Sequence, residues 1–355
     1  MTINSQIISN NGWKKPMVYA TFLVSLTVIL FVLNLIIGSV YIPIDQLIHS
    51  LSQTVNSQDP TALILLKSRL PQALTAILAG AGLAVSGLLL QTLFRNPLAD
   101  PSILGISAGA GLGVAITLML SGFLGNALHD LPGVIGNLTI TLSSFLGAFV
   151  VLLIVLNLSF RIQNNAVLLI IGLMISYAAG ACIDLLKFFS QKEDIYVYVM
   201  WGMGSFSNTS SGELSFMAPI VTIALGISLL LIKPLNILLL GTQYSTNLGL
   251  NLKSIRLIIL LVTGLLTAVI TAFCGPIAFI GLAVPHLVKG VVKTSNHAIL
   301  IPSVIFGGAS LALICNLIAK MPGFDGTLPI NSVTSFIGAP VVIWVLLSKK
   351  NEKRF

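Results

Sequence analysis

Charge is scarce in this chain: of 355 residues, 18 are Lys or Arg and 10 are Asp or Glu, 8% in all. A soluble globule of this length cannot dress its surface with so few charges, so that class is excluded. Acidic residues are the scarcer sign, and only Asp184, near the end of one long apolar run, falls within such a run. Ion-coupled transporters and channels that work alone normally carry charges inside their spans, so this shortage argues against them. Cysteine is nearly absent. Cys182, Cys274 and Cys315 lie in or at the ends of apolar runs without metal-type spacing, and read as small buried hydrophobes. There is no GxxxxGK[ST] loop to hold ATP phosphates, so any pumping energy would have to come from another polypeptide. No nucleophile and base, and no metal set, falls inside the apolar runs, which argues against an intramembrane enzyme.

What fills the chain instead is apolar: 56% hydrophobic residues, 31 glycines and a mean hydropathy of +1.02. A hydrocarbon core of roughly 30 Å requires about 20 apolar residues per helix, and runs of that length recur between short polar breaks. Ten spans are expected, near 17–39, 64–94, 102–123, 135–159, 165–189, 214–232, 255–273, 276–293, 300–319 and 331–347. The fold class is therefore an all-α membrane protein, read as a single transmembrane domain over residues 1–355. With the N-terminus cytoplasmic, 13 of the 18 basic residues fall in inner loops, as the positive-inside rule requires. An even number of spans also keeps the terminal KKNEKRF run inside, so both termini are expected in the cytoplasm. The first span is too long for a signal-peptide core and lacks a small-residue cleavage site, so it is expected to be retained. The net charge of +8 is spread over turns next to lipid, where anionic head groups explain it better than nucleic acid.

Several segments carry more specific signals. Gly105, Gly109 and Gly113 recur every four residues, a spacing that lets two backbones approach closely, so the helix near 102–123 is expected to be central. Residues 234–256 form an inner segment with a break at Asn247 and Gly249. It reads as two short amphipathic helices, either interfacial or docking a cytoplasmic partner. On the other side Tyr196 to Glu213 mixes aromatics with small polar residues, an interfacial belt or the wall of a vestibule. His286 has no HExxH-type partner and reads as a buried polar group bonded to a neighbouring helix.

From Arg69 onward the chain resembles a known family. RLPQALTAILAGAGLAVSGLLLQTLFRNPLADPSILGISAGAGLGV at Arg69 to Val114 is followed in order by WGMGSF at Trp201 to Phe206, GPIAFIGLAVPHLVK at Gly275 to Lys289 and LPINSVTSFIGAP at Leu328 to Pro340. These four blocks are similar to the FecCD family, permease subunits of ABC importers for iron-siderophores, haem and cobalamin. The resemblance implies a type II importer architecture in the bacterial cytoplasmic membrane, with no cofactor and no chemistry in this chain. It implies a second permease subunit, expected to be an identical copy, two ATP-binding cassette ATPase subunits and an extracytoplasmic substrate-binding protein. Ferric siderophore is the expected cargo, with cobalamin or haem as alternatives.

The same resemblance assigns residues. Leu239 to Leu252 would couple to the ATPase, with Gly241, Thr242, Gln243, Asn247, Leu248 and Gly249 at its core; Thr242 and Gln243 stand where relatives commonly have an acidic residue. Lys67, Arg69 and Lys320 would meet carboxylates of the binding protein at the outer rim, Gln72 replacing a basic residue usual there. Asn96 and Leu98, with Asn164 and Asn165, would form the cytoplasmic gate. Asn96 before Pro97 is also a good turn residue. Ser176, Tyr177, Ser332, Thr334 and Ser335 would line a weakly polar, uncharged path.

Overall fold

The computed structural model describes residues 14–38, 43, 59–121, 133–162, 164–320 and 327–352. Among these it is all-helical: α1 (Lys14–Ile36), α2 (Pro60–Phe94), α3 (Ile106–Ser121), α4 (Gly133–Arg161), α5 (Asn165–Phe189), α6 (Lys192–Gly202), α7 (Ser211–Leu230), α8 (Ile232–Leu238), α9 (Thr242–Asn247), α10 (Leu252–Cys274), α11 (Ile280–Val292), α12 (His297–Ala319) and α13 (Ile330–Glu352). Each expected span falls on one of these helices. Seven of them are long and apolar enough to cross a membrane, while α3, α11 and α13 offer shorter apolar stretches. Residue 39 of the first expected span, residues 122–123 of the third and the last three residues of the chain lie outside the described residues.

Polar residues just before the apolar runs start the helices. Asp59, Asn164, Asn251 and Asn296 each accept a hydrogen bond from a backbone N–H of the first turn, and Ser210 with Glu213 forms a capping box. Between α10 and α11 the break is wider than the sequence suggested. Gly275 takes a positive φ of 72°, Pro276 follows it, and the helix resumes only at Ile280. The segment after Tyr196 is not a plain loop: its first half belongs to α6.

The centre of the bundle is α2, in which every residue from Ala79 to Phe94 is buried. Helix α12 runs antiparallel beside it, and Gly80 and Gly308 make the approach possible, since a Cβ on either would overlap the other's carbonyl oxygen. Helix α1 packs on α12, where Thr27 meets the Ser310 hydroxyl at 2.8 Å. Helix α10 covers another side of α2, seating Ile270 and Leu266 against Gly82. The glycine-spaced α3 makes the close approach its sequence announced: Gly109 and Gly113 face Gly147 and Ser143 of α4. It is nevertheless not the centre: among the described residues α3 packs chiefly against α4, α5, α6 and α10 and keeps partly exposed positions such as Ile116, while α2 from Ala79 to Phe94 is buried throughout. Small residues allow close approach to one neighbour but do not dictate how many neighbours a helix has.

Candidate functional site

Five connections gather at one end of the bundle. The turn after α2 begins with Arg95 in the left-handed region, φ 49°. Asn96 then accepts from the Leu98 N–H at 2.9 Å, the local turn its position before proline favours. From α11, His286 Nε2–H donates to the Pro97 carbonyl at 2.7 Å, so this histidine is a buried group holding a neighbouring turn. Asp100 closes the turn as N-cap of a short 3-10 helix, Pro101–Leu104. Burial pushes its carboxyl pKa up, and hydrogen bonds from Ser102 partly offset that shift. Asn164 caps α5, and Asn165 Nδ2 donates to the Leu93 carbonyl at 3.0 Å. The four expected gate residues are thus brought to one place, two on the α2 turn and two at the start of α5. Arg256 of α10 adds a bond to the Ile162 carbonyl at 2.7 Å.

The α8–α9 segment lies at this same end. Its two short helices are separated at Gly241, φ 117°, not at Asn247; the Asn247–Gly249 break, with Gly249 at φ 82°, instead divides α9 from α10. Only glycine adopts such conformations without strain. Ser245 turns inward, its hydroxyl 2.9 Å from the Ile237 carbonyl, while Thr242, Gln243, Asn247, Leu248 and Gly249 are exposed and Gly241 is half-buried. Leu240 is 60% exposed, and Leu239 and Tyr244 lie open beside it. The result is an uncharged knob on which Leu239, Leu240, Tyr244 and Leu248 stand exposed among small polar residues. Arg95 Nη2 donates to the Leu238 carbonyl at 2.8 Å, tying the knob to the turn after α2.

The opposite end departs from expectation. Of the three expected rim cations only Lys67 is exposed. Arg69 is 4% exposed, and its Nη1 donates to the Leu35 and Ile36 carbonyls, both at 2.8 Å, satisfying the carbonyls that end α1. Lys320 is buried at the end of α12, and among the described residues its ammonium has no hydrogen-bond partner. Burial, and secondarily the Arg69 guanidinium, push its pKa down to about 8. Neither side chain presents a charge to an outer partner. Nearby the WGMGSF block joins the end of α10 and the start of α13: the Ser205 N–H donates to the Cys274 carbonyl at 2.8 Å and the Asn331 N–H to the Met203 carbonyl at 3.1 Å. A cavity of about 360 Å³ beside it is lined by Trp201, Ser205, Asn208, Glu213 and Phe273 among others.

Of the expected path residues, Tyr177 and Ser332 are exposed and Ser176 and Ser335 half-buried. Thr334 is buried and donates to the Asn331 carbonyl at 3.1 Å, so it braces α13 and lines no open face. Helices α5 and α13 turn large apolar side chains outward, Phe188 and Phe336 being at least 80% exposed. Among the described residues no three His, Cys, Asp or Glu side chains come together as metal ligands. Sequence reasoning missed the contacts of Arg95, Asn236 and His297, whose partners are distant in the chain. Only Asn296, a cap-type residue before an apolar run, left a signal.

Comparison with known proteins agrees with this architecture. A profile of the FecCD transport family matches residues 26–348. The haemin transport system permease protein HmuU of Yersinia pestis is 31% identical over 344 residues, covering 97% of this chain and 99% of that protein. The vitamin B12 import system permease protein BtuC of Klebsiella pneumoniae is 34% identical over 284 residues, covering 80% and 82%. A solved structure of an ABC transporter assigned to the metal-chelate type, in an inward-facing conformation, superposes with a TM-score of 0.78 at 30% identity, covering 93% of this chain and 98% of that one.

Proposed function

Because the chain belongs to the FecCD transport family and is a multi-pass permease subunit of an ABC importer for a metal chelate, haem or cobalamin, we propose that it moves its cargo by alternating access, with α8–α9 as the surface on which a separate ATPase acts. In this reading residues 1–355 are one permease domain, both termini are cytoplasmic, and two identical copies enclose the path between them. The observation that carries the coupling role is the bond from Arg95 to the Leu238 carbonyl. It joins the exposed knob to the turn bearing Asn96 and Leu98, so force applied to one reaches the other. The gate is then the α2 turn with Asn164 and Asn165, and the path wall takes Ser176, Tyr177, Ser332 and Ser335. Lys67 is the rim charge available to steer the binding protein.

Ferric siderophore is the first cargo to test; haem and cobalamin stand beside it because the relatives above are named for haemin and vitamin B12. The test is uptake into proteoliposomes holding this chain with its ATPase and binding protein, each chelate being labelled in turn. One cargo should accumulate, and only with ATP and binding protein. Equal flux without either partner would overturn the reading in favour of a channel or secondary transporter.

A further inference from the structure

A second connection fastens α8–α9 to the bundle, and it is more deeply buried than the Arg95 bond. Asn236, in the middle of α8, donates from Nδ2 to Asn296 Oδ1 at 2.9 Å. Its Oδ1 lies 2.9 Å from the His297 backbone nitrogen and 2.9 Å from His297 Nδ1. The far side of the same imidazole, Nε2, is 3.0 Å from the Thr92 hydroxyl of α2. His297 is 1% exposed and Thr92 7%.

Counting donors and acceptors sets the direction of the bonds from Asn296 to His297 Nδ1. Asn296 Oδ1 already accepts from the Ala298 N–H as the cap of α12, so the Asn236 group facing it must be the amide NH₂. The other Asn236 atom is therefore an oxygen, which fits the His297 N–H pointing at it. His297 must then carry its proton on Nδ1. In the neutral ring Nε2 is left as an acceptor for the Thr92 hydroxyl, whose single proton has the Leu88 carbonyl, 2.9 Å away, as its alternative. The chain Asn296–Asn236–His297–Thr92 is thus a bridge running from α8, through the first residues of α12, into the last turn of α2. That last turn leads directly into Arg95 and the gate turn.

We propose that Asn236 and His297 are positioning residues of the transport cycle: they lock the ATPase-facing segment to the ends of α2 and α12, so that displacement of α8–α9 moves the gate turn instead of being absorbed in the α7–α8 or α9–α10 joints. This rests on the docking reading of α8–α9 given above. Two features support transmission over mere packing. The bridge enters α2 three residues before the gate turn, and Arg95 makes an independent second tie from that turn back to the C-terminus of α8. Two separated ties between a segment and a helix pair remove the rotation that one alone would leave.

The test measures cargo moved per ATP hydrolysed, both quantities from the same proteoliposomes of permease, ATPase and binding protein. Leu240→Cys, on the exposed knob, is crosslinked to the ATPase in parallel. Asn236→Ala and His297→Phe should each lower the cargo-to-ATP ratio about tenfold, the population factor that one or two buried hydrogen bonds control. His297→Asn keeps a side-chain donor near the Nδ1 position and should retain most of the ratio, which a loss of stability alone would not restore. An unchanged ratio in both Asn236→Ala and His297→Phe, with the Leu240→Cys crosslink formed, would overturn the lock and leave the docking reading standing. Failure of that crosslink to form at all would overturn the docking reading and the lock with it. Should His297→Phe not assemble, Asn236→Ala, at a half-buried position, carries the test by itself, and an unchanged ratio there overturns the proposal.

Discussion

The two ends of the α2–α12 pair use similar polar residues for opposite purposes. At the opposite end Gln72 Nε2 donates to Asn316 Oδ1 at 3.0 Å, Asn316 Nδ2 to Asn34 Oδ1 at 2.8 Å, and Asn34 Nδ2 to the Leu313 carbonyl at 3.1 Å. This amide chain and Arg69 bind three long helices to one another and present nothing outward. At the α8–α9 end the side chains of Asn236, His297 and Arg95 join the same helix pair to a short segment whose other face is exposed leucine and tyrosine. Polar contacts hold long helices to one another at one end and, in the reading proposed above, hand motion into the bundle at the other. Loss of stability without loss of coupling should therefore mark the first end, and the reverse should mark the second.

The strongest way to break this contrast is to part the two helices between the ends. Gly80→Leu would drive a side chain into the Gly308 backbone, and overpacking of this kind costs about 1–3 kcal/mol or more; the yield of folded protein in detergent should fall sharply. Asn316→Ala leaves a Gln72 donor and an Asn34 acceptor unpaired in a buried site, a cost of about 1–3 kcal/mol. Denaturation in mixed micelles should report that loss, while the cargo-to-ATP ratio of the folded fraction stays at the wild-type value.

Lys320→Met should act in the stabilising direction by removing a buried ammonium that has no hydrogen-bond partner among the described residues, by about 1–2 kcal/mol near neutral pH. Its pH dependence sharpens the point. The folded pKa of about 8 lies below the ordinary 10.5, so between those values the unfolded chain holds more protons. Wild-type stability should accordingly rise as pH is raised through that window, and the Met variant should lose this rise. The smallest effect on stability belongs to the knob: Leu240→Ser, at an exposed position, should change stability by no more than about 0.5 kcal/mol. ATP-dependent uptake should nevertheless fall, which would place that side chain on the working surface.

Much of the architecture was legible because lipid imposes strong local rules. A helix in hydrocarbon must be long, apolar and internally hydrogen-bonded, so each span announces itself within its own residues. Caps such as Asn164, Asn251 and Asn296 sit where a polar residue precedes an apolar run. Gly109 and Gly113 announced a close approach, and of the segment expected to dock a partner Thr242, Gln243, Asn247, Leu248 and Gly249 are exposed while Ser245 is buried. The expected rim and path residues fared less well. Arg69, Lys320 and Thr334 were placed by their position in a motif, and position along a helix end does not say which way a side chain turns. Arg69 is drawn inward because the last carbonyls of α1 lack partners, and α1 ends 33 residues before it.

The sequence alone determined the solvent, the spans, the absence of an ATPase site and the family, because each depends on composition or on residues close in the chain. The tertiary structure decided which helix is central and which cations are buried. It also decided that Asn236, His297 and Thr92 form one tie, and Arg95 with the Leu238 carbonyl a second, between segments more than 140 residues apart in the chain. Such contacts depend on where helices cross, and helix crossings follow from the fit of whole faces, which no local pattern encodes.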